Sequence, residues 1–384
     1  MNIAIMIPNL LGGGAERVAQ QIGTYFTGEG IKVYYFLLRK ARGCTYEVFG
    51  EIINLDIEEG LNNVFERTDL RRLKKEAKRI QSRKEELSID VAISFMEEAN
   101  YLNILSRCKE KVIVSVRTTL SMRDDLGGLF YNRAFIRRLY NKADKVVAVS
   151  EFTKNDLIDN YGIDSRKVVS IPNAPTDLAG DLSLEWKYGS HAIVCVSRFE
   201  PVKQHDHIIR AFSQVKKNVP SAELILCGEG KLRDYLQYIC RKLELEKNVH
   251  FVGFCNDMTR YYSNSRVFVM ASFAEGFPNS MVEAMKYGCP IVSVDTPGGV
   301  RDILEVDNTI EDVTLCKYGV VTPLLKGKAP RSLELTSEES KLAEAMTRIL
   351  TDDDLFRMYK ERSLERADHY SYDRIMKRWK GIIE

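Results

Sequence analysis

The 384-residue chain carries 56 Lys and Arg against 54 Asp and Glu, a formal net charge of +2, with 45% hydrophobic residues, 24 Gly and 10 Pro. This is ordinary globular composition, long enough for two or three domains whose cores need no disulfide or metal staple. The balanced charge excludes a dedicated nucleic-acid binder and an acidic disordered chain, and no run approaches the ~18 apolar residues of a membrane-spanning helix.

Residues 2–8 are a short apolar run with no basic segment ahead of them, so they read as a first strand and not as a secretory leader. Further β-branched runs follow at 33–37, 52–55, 91–95, 112–116, 146–150 and 168–172, separated by longer segments of helical pattern. They are apolar throughout instead of alternating, which predicts parallel strands covered on both faces. The series pauses over 173–189, where Pro175, Gly180 and Gly189 mark a linker. It restarts at 191–197, 223–228, 249–252, 267–271, 290–294 and 318–321. Strands alternating with helices on both sides of a linker predict an α/β chain of two Rossmann-like doubly wound domains facing a cleft. The boundaries are 1–176 and 190–368, with a terminal helical segment over 369–384. The eight Cys (Cys44, Cys108, Cys195, Cys227, Cys240, Cys255, Cys289 and Cys316) form no C-x-x-C. They read as free thiols in a reducing compartment, without zinc-site spacing.

Ligands of parallel sheets bind beyond the carboxyl ends of the strands, so polar motifs just after strands are the candidates. After the first strand comes Gly12-Gly13-Gly14-Ala15-Glu16-Arg17, opening a helix. Its backbone N–H groups suit an anion, although it lacks the last glycine of G-x-G-x-x-G and the G-K-[ST] of a phosphate-binding P-loop. Ser197-Arg198-Phe199-Glu200-Pro201-Val202-Lys203 follows the first strand of the second half and places two cations where they can share a diphosphate. Glu275-Gly276-Phe277-Pro278-Asn279-Ser280-Met281-Val282-Glu283 follows the run at 267–271, with one carboxylate on a loop and the other inside a helix. These carboxylates can accept from sugar or ribose hydroxyls. The competing readings are a capping box for Ser280 with Glu283 and a glycosidase pair.

Together these motifs resemble the retaining glycosyltransferases of the GT-B fold, family 4. The resemblance rests on GGGAER at 12–17, R-x4-K at 198–203, GEGKLR at 228–233 and E-x7-E at 275–283, supported by ADKVVAVSEFTKNDL at 143–157 and IPNA at 171–174. It implies that Arg198 and Lys203 hold the diphosphate of a nucleotide sugar and, with Glu275, carry the catalysis. It further implies that Glu283 accepts from the ribose, that Phe277, Pro278, Asn279, Ser280 and Met281 offer backbone to sugar and phosphate, and that Gly253 and Phe254 line the base pocket. The resemblance implies that the domain over 190–368 binds the nucleotide sugar and the domain over 1–176 takes the acceptor, with Gly13 and Gly14 approaching the sugar phosphate and the terminal helix crossing back onto the first domain. No cofactor and no metal are implied, since the two cations take the role of Mg²⁺. The expected donor is a UDP-sugar.

The chain departs from the pattern where many relatives carry a His after the strand at 112–116; here stands Ser115-Val116-Arg117-Thr118. Arg117 and Glu98, the latter with its neighbour Glu97, are candidates for contact with the acceptor or the sugar. The resemblance of EGFPNSMVEAM, DTPGGVRDIL and the segment around 316–320 extends to transferases of surface polysaccharide assembly, so the implied acceptor is a glycan or lipid-linked oligosaccharide. Over 67–84 lie nine Lys or Arg and two acids, with Leu70, Leu73, Ala77, Ile80 and then Leu87 at helical spacing. That helix either docks by its apolar stripe or rests its basic face on an anionic membrane. A second basic, aromatic segment spans 130–140. The implied location is the cytoplasm, at the inner face of the cell membrane. Alternative readings are a UDP-sugar 2-epimerase and a non-catalytic partner subunit with a vestigial site; the intact Arg198, Lys203, Glu275 and Glu283 speak against both.

Overall fold

A strand that is apolar at every position must be covered twice, and the first strand shows how. The computed structural model describes residues 1–11, 13–39, 47–57, 67–122, 132–175, 186–255, 257–329 and 332–384, with backbone alone over 67–70. Gly12, Cys44, Phe130, Tyr131 and Gly180 lie outside the described residues. Strand β1 (Asn2–Ile7) sends Ile3, Ile5 and Ile7 into one buried cluster and Ala4 and Met6 into another on the opposite face. Helix α1 (Gly14–Gly28) covers the first face with Val18, Ile22 and Phe26.

The chain divides into two units, Met1–Ala174 with Tyr372–Glu384, and Pro175–Ser371. In the first unit β1 is joined by β2 (Lys32–Leu37), β3 (Glu51–Asn54), β4 (Val91–Phe95), β5 (Lys111–Val116), β6 (Lys145–Ala148) and β7 (Val168–Ser170). All pair in parallel, in the order β3-β2-β1-β4-β5-β6-β7. The helices are α2 (Arg67–Glu86), α3 (Glu97–Leu105), α4 (Arg133–Tyr140) and α5 (Glu151–Asp159).

The second unit holds β8 (Ala192–Val196), α6 (His205–Asn218), β9 (Glu223–Cys227), α7 (Arg233–Lys242), β10 (Val249–Gly253), α8 (Thr259–Asn264), β11 (Val267–Met270), α9 (Asn279–Lys286) and β12 (Ile291–Val294). It continues through α10 (Gly299–Leu304), β13 (Thr314–Cys316), β14 (Gly319–Thr322), α11 (Ser337–Thr351) and α12 (Asp353–Asp368). Its sheet order is β10-β9-β8-β11-β12-β14-β13. Both units are therefore Rossmann-like and doubly wound. Among the described residues the one departure from parallel pairing is β13, which turns back against β14 as an antiparallel hairpin at the sheet edge. The last helix, α13 (Tyr372–Ile383), belongs to the first unit, where Ile375, Met376 and Trp379 share a core with Ile3, Val91 and Phe95.

The basic helix α2 docks on the first unit by Leu73, Ala77 and Ile80, all buried. Several of its cations are already engaged. Arg79 meets Glu76 at 2.5 Å and Arg83 meets Glu86 at 2.5 Å. Lys84 is buried against Glu110 at 2.7 Å and also donates to Asn103 Oδ1 at 2.8 Å. Burial holds the Lys84 ammonium below its ordinary pKa, partly offset by Glu110. The seven described cysteines are unpaired, and Cys195, Cys227, Cys240 and Cys289 are buried. Among the described residues no helix is long and apolar enough to cross a membrane.

Candidate functional site

In each sheet the strand order reverses beside the first strand, between β1 and β4 and between β8 and β11. A crevice opens beyond the carboxyl ends of the strands at such a point. In the second unit the two loops leaving that point carry the cations and one of the carboxylates.

The loop after β8 is fixed by backbone bonds to the segment after β9. Phe199 N–H donates to the Glu229 carbonyl at 2.9 Å, and Leu232 N–H donates back to the Phe199 carbonyl at 3.2 Å. Gly228, at φ +152°, lies so close that a Cβ there would stand 2.0 Å from the Ser197 carbonyl oxygen. Phe199 is buried and anchors the loop, while its neighbour Arg198 projects into solvent, 76% exposed, with Glu200 at 3.1 Å. A short 3₁₀ turn, Pro201–Lys203, then delivers Lys203, and Gln204 in the left-handed region starts α6.

The loop after β11 is held from both sides. Phe273 N–H donates to the Val202 carbonyl at 2.8 Å, joining it to the Lys203 turn. Glu275 N–H donates to the Pro297 carbonyl at 3.3 Å, and Gly299 N–H to the Gly276 carbonyl at 3.1 Å. Gly298, at φ +115°, is the closest approach: a Cβ there would lie 1.6 Å from the Glu275 carbonyl oxygen. Thus the Thr296-Pro297-Gly298-Gly299 turn after β12 is a backbone support for Glu275. The outcome is an ion pair at the switch point, Lys203 Nζ to Glu275 Oε1 at 2.5 Å, with the side chains only 18% and 11% exposed.

Glu283 sits in α9 and is buried; Tyr262 O–H donates to its Oε2 at 3.2 Å. Burial, with Glu283 beside it, drives the Tyr262 phenol well above its ordinary pKa, so it stays protonated as the donor. The capping-box alternative for Glu283 does not hold: Pro278 is the helix N-cap, and no side chain caps it. Phe277 packs edge-on against Tyr370, ring centroids 5.3 Å apart, and Met281 is fully buried, so Phe277 and Met281 shape the turn from inside. Asn279 and Ser280 begin the helix. Gly253 ends β10 at φ +84°, its carbonyl accepting from Gly228 N–H at 2.8 Å, and Phe254 beyond it is 77% exposed. Arg198, Lys203, Gly253, Phe254 and Glu275 therefore lie along one carboxyl edge of the second sheet, with Glu283 on the helix that follows.

His205, unremarked in the sequence, backs this loop: its Nε2 lies 2.9 Å from Ser197 Oγ and its ring meets Phe199 edge-on at 5.0 Å. Burial, and secondarily the Lys203 cation, push its pKa down to about 3, so it is neutral. Of these supports, the glycine of GEGKLR at 228 and the consecutive glycines after β12 left a readable trace in the sequence; His205 and Tyr262 did not.

In the first unit, Gly13 precedes α1 in extended conformation and Gly14 is its first residue; both are exposed. The space above Gly13 is taken by the Glu16 carboxylate, 2.4 Å from where a Cβ would be. Glu98, read as facing an acceptor, is engaged by Arg39 at 2.6 Å, an arginine that follows β2. Glu97 is the first residue of α3, after Met96 at φ +73°. Arg117 follows β5 at the same edge, half-buried. Its Nη1 donates to Ser115 Oγ at 3.2 Å and to the Ile171 carbonyl at 3.4 Å, and its Nη2 donates to Asn173 Oδ1.

Two doubly wound domains, each offering a polar carboxyl edge, make up the GT-B architecture. The Glycosyltransferase Family 4 model matches residues 12–174 and the Glycosyl transferases group 1 model matches residues 183–311. The chain belongs to the family 4 glycosyltransferases of the GT-B fold. It is 31% identical over 262 residues to an uncharacterized glycosyltransferase of Methanocaldococcus jannaschii, covering 64% of each chain. It is 27% identical over 293 residues to the N-acetylgalactosamine-N,N'-diacetylbacillosaminyl-diphospho-undecaprenol 4-alpha-N-acetylgalactosaminyltransferase of Campylobacter jejuni, covering 73% of this chain and 72% of that one. Among solved structures, the Anabaena protein HepE in complex with UDP superposes with a TM-score of 0.76 over 99% of both chains, at 17% identity.

Proposed function

We propose that this chain is a retaining glycosyltransferase moving a hexose or N-acetylhexosamine from a UDP-sugar to a glycan acceptor carried on a lipid, in bacterial surface polysaccharide assembly. The observation that carries the reading is the Lys203–Glu275 pair at the switch point of the second sheet, beside the exposed Arg198. Breaking the anomeric C–O bond leaves positive charge on the sugar and negative charge on the diphosphate. Lys203 and Arg198 stabilise that leaving group electrostatically, and no metal ion is needed. Lys203 pairs with Glu275. When the diphosphate arrives, the ammonium turns to it and the carboxylate is freed to accept from a sugar hydroxyl. Glu283, oriented by Tyr262, accepts from the ribose. The family retains the anomeric configuration by same-face attack, with the acceptor proton passing to the departing phosphate oxygen.

The choice of UDP is supported by the UDP held by the Anabaena protein, and a lipid-linked acceptor by the diphospho-undecaprenol substrate in the Campylobacter enzyme's name. Turnover of a UDP-sugar panel with EDTA present tests the reading. Release of UDP with one donor, and an equatorial anomeric proton conserved from the α-linked donor to the product, are expected. UDP binding without transfer would favour a non-catalytic subunit, and a 2-epimerised UDP-sugar an epimerase. Loss of turnover in EDTA would overturn metal independence.

The outer face of α2 supports a second element of the proposal, peripheral contact of the first unit with an anionic membrane at the cytoplasmic side. Arg71, Lys74, Lys75 and Lys78 lie on that helix apart from its buried stripe. Each cation near such a surface is worth about 1 kcal/mol. Sedimentation with anionic but not neutral vesicles, reversed by salt, is the expected result; equal recovery on both would refute it.

A further inference from the structure

The first unit keeps one cation in an unusual state. Arg117 sits at the carboxyl end of β5, next to β4 and the switch point, on the edge where a parallel sheet presents its ligand. Its hydrogen-bond partners, Ser115 Oγ, the Ile171 carbonyl and Asn173 Oδ1, are all neutral. Its Nε is buried with no partner. Among the described residues no carboxylate pairs with it, and Glu98 on the same edge is already taken by Arg39. Burial alone pushes the guanidinium down to about 9, far below the value of a solvated arginine. A desolvated cation without a counter-ion costs stability, and replacing buried charge by an apolar side chain is often neutral or stabilising. A fold keeps such a residue where its charge serves a ligand. Three of its five N–H donors are used and the Nε is buried, which leaves one N–H on Nη2 for that ligand.

We propose that Arg117 is a specificity residue for the acceptor, binding a phosphoryl oxyanion that the acceptor carries. This rests on the glycosyltransferase reading above, with the first unit taking the acceptor. The neutral partners fix the direction of the fork, and the acceptor phosphate supplies the missing countercharge. An acceptor lacking an anionic group would leave the guanidinium with neutral partners alone.

The test uses the full chain as wild type, Arg117→Gln and Arg117→Lys, with inorganic phosphate as the probe. Melting is followed against phosphate concentration in saturating UDP, so that the diphosphate site of the second unit is filled. Beyond the salt effect shared by all three proteins, wild type and Arg117→Lys should gain stability with phosphate, and Arg117→Gln should respond at least tenfold more weakly. Without ligand, Arg117→Gln should melt at or above the wild-type temperature. Equal phosphate responses in wild type and Arg117→Gln, or none in wild type, would overturn the proposal. So would a loss of UDP affinity in Arg117→Gln, which would assign the residue to the donor, or a marked drop in its unliganded melting temperature, which would make it structural. Failure of UDP to bind the wild type would instead overturn the underlying donor assignment.

Discussion

Gly298→Ala separates the site from the fold, because Gly298 contributes no side chain yet supports Glu275. Its Cβ would stand 1.6 Å from the Glu275 carbonyl oxygen, where ordinary contact begins near 3.4 Å. Restoring contact means shifting that carbonyl by roughly 1.8 Å. The shift breaks the Glu275 N–H bond to Pro297, worth about 1 kcal/mol, and alanine at φ +115° adds about 1–3 kcal/mol of strain. The total, roughly 2–4 kcal/mol, is within the stability of a typical domain, so the variant should fold. Displacing a positioned group by about 1 Å can cost on the order of 10²-fold in rate. Gly298→Ala should therefore lose about 100-fold in kcat, read as UDP released per minute from the preferred donor. Gly30→Ala is the control: it carries the same class of strain at φ +76°, with open space around the position, in the first unit. It should lose about 1–2 kcal/mol of stability with kcat unchanged. A folded Gly298→Ala working within threefold of wild type would refute the claim that this glycine positions Glu275.

Lys203→Ala and Glu283→Ala should lose turnover while retaining the wild-type far-ultraviolet circular dichroism; near-wild-type activity in both would remove them from the site. In the buried Lys84–Glu110 pair, Lys84→Met leaves a carboxylate alone and should cost about 3–5 kcal/mol in urea unfolding, most of it recovered when Glu110→Leu is added; additive losses would contradict this. His205 titrates near 3 when folded and near 6.5 when unfolded, so between those values the unfolded chain binds the extra proton. Stability should fall as pH drops from 6.5 toward 3, by up to ~1.4 kcal/mol per unit from this residue. His205→Gln should flatten that slope by one proton, and an unchanged slope would show that the buried imidazole is not its source.

The strands were legible because a doubly covered parallel sheet demands apolar residues at every position, a pattern that needs no partner to be recognised. β13 was not: Thr314-Leu315-Cys316 is only three residues long, and the Lys317-Tyr318 turn lacks the Asn or Gly that announces a tight hairpin. Arg198, Lys203 and Glu275 could be found because each follows a strand, and the strand ends converge on one edge. Their supports could not. Tyr262 meets Glu283 only through the packing of α8 on α9, and Arg39 meets Glu98 across 59 residues because β2, β1 and β4 are neighbours in the sheet. Sequence spacing carries the loop positions but not the crossovers that decide which loops meet.

That difference separates the two halves of the chain chemically. At the second sheet's edge each candidate cation has a carboxylate beside it, Arg198 with Glu200 and Lys203 with Glu275, so the charges are balanced within the protein, and the proposed diphosphate would exchange one anionic partner for another. At the first sheet's edge Arg39 is paired in the same way, but Arg117 has only neutral acceptors. A paired cation carries little standing cost whether or not an anion joins it, which suits the donor role proposed for Lys203 and Arg198. An unpaired, half-buried cation has a standing cost, and only an anionic ligand at that position offsets it. On the proposal that Arg117 meets an anionic acceptor, the chain's departure at residue 117 would set which acceptor it takes and leave the donor side proposed for the second unit untouched.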